Sequence, residues 1–217
     1  MEMNGFGDPT IPMKKANWSF LFLLVSVGST FGQTDNGMAA NDENHYAQIP
    51  DYPDTYSAGT VAARVVDGLG FRYFYATAGL TEENLEFKPS EEARTLDETL
   101  DHILGLTRTT LNSVMRQPTD FSVEQPELTF AAKRMKTLEN IRRTSEILRA
   151  SSAEDLESYK IIFLSRNGSR TEYPFWNQLN GPIADALWHT GQVVTFRRSA
   201  GNPFNSNASL LRGRLRV

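Results

Sequence analysis

Asp185 and His189 are four residues apart in the run Asp185-Ala-Leu-Trp-His189-Thr-Gly-Gln192. On a helix that spacing puts a carboxylate and an imidazole on one face, a turn from each other, where both can grip one metal ion. The chain has only three histidines, and His102, in Asp101-His102-Ile103, lies in a second segment with helical patterning. Two imidazoles and a carboxylate would suit a divalent transition metal. The same residues also have plainer uses. Asp185 could cap a turn or pair with Arg197 or Arg72. His189 could be a core histidine with one satisfied hydrogen bond, and Gln192 could bridge two helices. The third histidine, His45, lies in a polar stretch and is expected to be a solvated loop residue.

The elements that must position these residues follow from hydrophobic period. A first helix is expected from about Tyr56 to Ala78, with Val61, Val65, Leu69 and Tyr73 at helical spacing. Thr81 to Pro89 is a short connecting turn or helix. A second helix spans Thr95 to Arg116. Thr95 and Glu98 have capping-box spacing, and Leu96, Leu100, Ile103, Thr107, Thr110, Leu111 and Val114 form one stripe. His102 falls off that stripe, at the edge of the core.

Residues 117–130 are expected to be a long loop. A third helix covers Ala131 to Ala150, with Met135, Leu138, Ile141, Ile147 and Leu148 inward and the Arg and Lys outward. Ser151 to Glu154 can start a further short turn. Tyr159 to Leu164, then Asn167-Gly168, then Thr171 to Phe175, is a hairpin signal.

The fourth helix is expected to start at Pro182, a residue favoured at the first helical position, and to stop before Gly201 and Pro203. One of its faces carries Ile183, Ala186, Leu187, Val193 and Val194. A second carries Asp185, His189, Gln192 and Phe196. That second face lacks Lys and Glu, and with Trp188 nearby it looks poorly suited to water.

Composition limits the rest. The chain has 217 residues, 40% hydrophobic and 22% charged, with net charge −4 and pI near 5.5. This suits one soluble domain and lacks the basic footprint of a nucleic-acid binder. There is no cysteine, which excludes a disulfide framework, a thiolate metal site and a cysteine nucleophile.

Residues 1–32 are expected to be a secretory signal starting at Met13. Lys14-Lys15 is its basic region and Trp18 to Val27 its apolar run, about half the roughly 20 residues that a spanning helix needs. The expected location is periplasmic or secreted, with no stable membrane anchor after cleavage. Removing the segment deletes Glu2, Asp8, Lys14 and Lys15, so net charge stays the same. Residues 33–54 are expected to be a flexible leader, and 204–217 a polar, basic tail.

Residues 55–203 resemble the DinB/YfiT-like superfamily. The resemblance rests on Pro89 followed by Thr95 to Ile103, on His189-Thr190-Gly191-Gln192-Val193, and on Arg197-Arg198 with Gly201. It implies an all-α fold: an up-down-down-up four-helix bundle, here with a small β-hairpin before the last helix. It also implies a metal between the helices, held by one histidine of the second helix and a histidine pair of the last. Carried over, these are His102 and His189, with Asp185 where the family has its other histidine. That set suits zinc, nickel, iron(II) or manganese. Gln192 and Trp188 are the expected neighbours of the ligands or of a small-molecule substrate. The implied activities are metal-dependent hydrolysis or thiol transfer. The alternative is a non-catalytic bundle, perceived as a small-ligand or metal binder with an aromatic pocket of Trp188, Phe196, Tyr73 and Phe74, or as a homodimer joined through helix faces.

Overall fold

The computed structural model describes residues 44–216. The expected signal segment and the first part of the leader lie outside the described residues.

Four long helices build the core. They are α1 (Ala58–Thr77), α3 (Leu96–Val114), α4 (Phe130–Arg149) and α7 (Ala184–Ser199). The short helix α2 (Glu82–Glu86) precedes α3, and α5 (Ala153–Ser158) follows α4. Hydroxyl side chains begin most of them. Ser57, Thr81, Thr95 and Ser152 each make a reciprocal capping box, so backbone N–H groups that the first turn leaves unpaired find acceptors. Thr95 and Glu98 form the pair expected for α3, with Thr95 N donating to Glu98 Oε2 at 2.7 Å.

Cross-helix contacts fix the directions. Arg134 at the start of α4 meets Thr77 at the end of α1, and Ser145 meets Ala63, so these helices are antiparallel. Lys133 meets Asp97, Asn140 meets Thr107 and Arg143 meets Met115, so α3 and α4 are parallel. Arg197 at the end of α7 meets Tyr75 and Ala76 at the end of α1, so those two are parallel. The result is an up-down-down-up bundle in which α1 and α3 each pack against both α4 and α7. A parallel α3–α4 pair needs a chain crossover, and residues 115–129 supply it.

The stripe expected on α3 is the buried one: all seven of its residues face inward, with Leu96, Leu100 and Ile103 fully enclosed. Truncating such a leucine to alanine costs about 2–5 kcal/mol. Helix α4 departs from expectation. Met135 is 57% exposed and Lys133 only 2% exposed. Small polar residues (Thr137, Thr144, Ser145) line its inner face beside Leu138, Ile141 and Leu148. They let backbones approach closely, and Gly59 of α1 leaves no room for a Cβ against the carbonyls of Leu148 and Ser151.

The expected hairpin is present as β2 (Lys160–Leu164) and β3 (Arg170–Pro174), antiparallel, with Leu164 opposite Arg170 across the Asn167-Gly168 turn. A strand in the crossover, β1 (Thr119–Asp120), adds to β2 in parallel; the loop expected there is partly a sheet edge.

The last helix does not start at Pro182. Helical structure begins earlier, at α6 (Phe175–Gln178), and passes through a π turn (Leu179–Ile183) into α7. Proline lacks the N–H that the ladder needs, and Gly181 takes a non-helical conformation (φ −93°, ψ −109°), so the ladder opens there and restarts. Gly201, with φ +78°, closes α7.

Both ends of the described chain are anchored. Within the expected leader, Tyr46 is 1% exposed, and its hydroxyl donates to buried Asp67 at 3.1 Å. Arg149 pairs with the same carboxylate. Residues 204–216, expected as a tail, instead carry β4 (Ala208–Ser209) and β5 (Arg214–Leu215). Ala208 packs with Ile49, Phe71 and Tyr75, and Ile49 N donates to Gly213 O at 2.7 Å. The backbone bond joins the two ends to each other, while apolar burial and the Tyr75 hydroxyl, donating to Ala47 O at 2.9 Å, tie them to α1, which no periodic pattern in the sequence announces.

Candidate metal centre

Helix α7 buries Ala186, Thr190, Val193 and Arg197, a stripe at helical spacing. Asp185, His189, Gln192 and Phe196 form the flank beside it, half-buried, turned toward α3. From α3, His102 comes to the same place. One ligand atom from each of His102, Asp185 and His189 lies within 4.8 Å of the others.

The carboxylate is the hinge of this cluster. Asp185 Oδ2 is 3.4 Å from His102 Nε2, and Asp185 Oδ1 is 3.3 Å from His189 Nε2. The imidazole rings are perpendicular, with centroids 4.5 Å apart. Two ligand atoms each about 2.1 Å from one ion at a tetrahedral angle lie about 3.4 Å apart. Each separation is close to that value, with the two histidines facing different oxygens of the carboxylate, and both are longer than direct charge-assisted hydrogen bonds, which run nearer 2.8 Å.

His189 Nδ1 is 2.7 Å from Gln192 Oε1, where the amide oxygen can accept a proton carried on Nδ1, and His189 Nε2 is the ring atom turned to Asp185 Oδ1. His102 favours its neutral, ligating form. Burial lowers its pKa first, helped by the charges of His189 and Arg94, and Asp185 opposes the shift. Arg94, just before the α3 cap, is a neighbour that spacing did not reveal.

The hydrogen bond expected of a plain core histidine is present, from His189 to Gln192, whereas the arginines offered to Asp185 are engaged elsewhere. Arg197 spends its guanidinium on Tyr75 O and Ala76 O, both at 2.9 Å, and on Asn202, closing the end of α1. Arg72 donates to Gly68 O within its own helix. Neither pairs with Asp185. Asp101, adjacent to His102 in sequence, turns to α4 and binds Lys133 at 2.8 Å.

Of the expected neighbours, Gln192 touches the cluster and Trp188 does not; its side chain is 72% exposed. The other aromatics of the alternative reading pack in the body of the protein instead of lining one pocket. Tyr73 is fully buried in the core, Phe74 stacks under Arg134, and Phe196 meets Phe87 with centroids 5.9 Å apart. The mouth of the cluster is open to solvent on the side of His102 and Asp185, 32% and 40% exposed, while His189 is 16% exposed. His45 sits apart, in a 3-10 turn (His45–Ala47) against Tyr46.

Among the described residues no helix is long and apolar enough to cross a membrane. No family model and no curated protein matches the chain. Among solved structures, the crystal structure of a DinB-like protein from Bacillus subtilis is similar, at 16% identity, over 74% of this chain and 92% of that one, with a TM-score of 0.42.

Proposed function

We propose that His102, Asp185 and His189 hold one divalent transition-metal ion and that the protein is a metal-dependent hydrolase or thiol transferase. The observation that carries this reading is the convergence of three ligands: Asp185 lies 3.4 Å from His102 Nε2 and 3.3 Å from His189 Nε2, with one ligand atom of each residue within 4.8 Å of the others. Two imidazoles and one carboxylate suit zinc, nickel, iron(II) or manganese.

The chain's own residues have distinct tasks. Gln192 fixes the tautomer and ring orientation of His189, as hydrogen-bonded partners of metal-bound histidines do. Asp185 supplies negative charge, which offsets part of the ion's. His102 closes the site from a second helix, so the ligand set exists only in the closed bundle. The exposed side of His102 and Asp185 gives a reactant its approach. An ion held by these residues would supply Lewis-acid chemistry to a water or thiol approaching from that side. The motif resemblance of residues 55–203 supports the same class of chemistry. Of the two reactions hydrolysis fits better with an exported chain, which residues 13–33 lead us to expect, because small thiols are kept reduced mainly in the cytosol.

The test is metal analysis of the untagged full chain. About one divalent ion per chain is expected, and His189→Ala should lose it while remaining folded. Unchanged metal content in that variant would overturn the assignment. Stoichiometric metal without esterase, amidase or thiol-transfer activity would favour a binding protein over an enzyme.

A further inference from the structure

We propose that the C-terminal hairpin docks on the surface of an anionic phospholipid bilayer, seating its leucine tip among the acyl chains and its arginines at the phosphates. The argument begins with charge. The chain is acidic overall, yet its last acidic residue is Asp185. Beyond it come Arg197, Arg198, Arg212, Arg214 and Arg216 with no carboxylate side chain among them. Arg197 is buried and occupied; the other four belong to the hairpin or the helix end beside it.

The tip itself is apolar. Leu210, Leu211 and Leu215 are 45%, 94% and 42% exposed. A loose tail would fold such residues onto the body of the protein. This one cannot, because the hairpin is mounted rigidly. Ala208 and Ser209 are buried, Gly213 N donates to Ser209 O at 2.8 Å, and Gly213 leaves no room for a Cβ against Ile49. Its φ of +66° turns the chain there, which suits glycine.

The arginines are available. The side chains of Arg212 and Arg214 make no bond among the described residues, and Arg198 lies over the Phe204 ring at 5.9 Å. Arg198, Arg212 and Arg216, with Phe204, line a concavity of about 700 Å³ beside the tip, roomy enough for a phosphate headgroup. Exposed leucines flanked by arginines match an interface where acyl chains meet phosphates. Duplex nucleic acid or an acidic peptide would use the charge and leave the 94% exposed Leu211 in water.

The absence of cysteine makes a clean test. In the full chain, Leu211→Cys is labelled with an environment-sensitive fluorophore, and the exposed Met135→Cys on α4 serves as the control. Because the apolar run Trp18 to Val27 can hold the chain to any bilayer, the reading is taken at residue 211 and not as total bound protein. Vesicles of two parts phosphatidylcholine to one part phosphatidylglycerol should blue-shift the probe at 211, and pure phosphatidylcholine should not; the probe at 135 should stay unchanged. Arg212→Ala with Arg214→Ala should cut the bound-to-free ratio of the tip by about 30-fold, and the double glutamate variant by more. Unchanged thermal midpoints confirm that these variants fold. The proposal falls if 211 shows no shift, shifts equally on neutral vesicles, keeps its shift in the arginine variants, or shifts as much with duplex DNA or polyglutamate.

Discussion

Asp101 and His102 are neighbours on α3, and they lead to two polar clusters that differ in one respect. On the α4 side, Asp97 and Asp101 hold the Lys133 ammonium at 2.7 and 2.8 Å. On the α7 side, Asp185 lies between two imidazoles at 3.3 and 3.4 Å. The first cluster contains its own cation, at salt-bridge distance, with the lysine enclosed. The second has the spacing of atoms that share a cation but contains no lysine or arginine to be one. A complete ion pair is a structural device; an incomplete one at ligand spacing is capable of holding an ion.

That contrast can be broken in four ways, taken from the largest expected effect down. Asp97→Ala with Asp101→Ala strands a buried ammonium and should cost about 3 kcal/mol in urea unfolding; an unchanged midpoint would mean that Lys133 escapes to water. Zinc at 100 times its dissociation constant should stabilise the chain by about 2.7 kcal/mol, a gain absent from His189→Ala. Equal stabilisation of both proteins would move the ion to another location. Gln192→Ala should weaken metal affinity about tenfold, read by competition with a chelator dye, because the histidine loses its orienting partner. Full affinity in that variant would reduce the 2.7 Å contact to a bystander. Smallest of all, His102→Ala in metal-free protein should shift stability by no more than about 0.5 kcal/mol, since it removes a partly exposed side chain whose one polar contact, to Asp185, is long at 3.4 Å; a larger loss would make this cluster structural like its neighbour.

The sequence displayed one cluster and concealed the other for a physical reason. His102, Asp185 and His189 stand out because histidine is rare here and the i, i+4 spacing survives any small error in helix boundaries. Lys133 does not stand out: a lysine on an amphipathic helix is normally solvated, and only the parallel packing of α3 on α4 encloses it. The same packing misplaced Met135, because threonines and serines took the inward positions that an apolar count would give to methionine. The α3 stripe was legible throughout, its apolar and threonine positions keeping one period for five turns. The start of the last helix was not. Pro182 is equally at home at a first position and at a break, and the π turn selects the second. The anchoring of both chain ends rests on single contacts such as Ile49 with Gly213, which leave no periodic trace.

The crossover that makes α3 and α4 parallel also orders events in time. Asp185 and His189 lie on the last long helix, and His102 lies on the second. A chain emerging from the ribosome presents His102 long before its two partners exist. An ion held by all three ligands would bind in full only once α3 and α7 have come together in the closed bundle. Metal should then leave the rate of folding nearly untouched and slow the rate of unfolding, which is how an interaction formed after the transition state behaves. An ion held there would set how long the closed protein lasts.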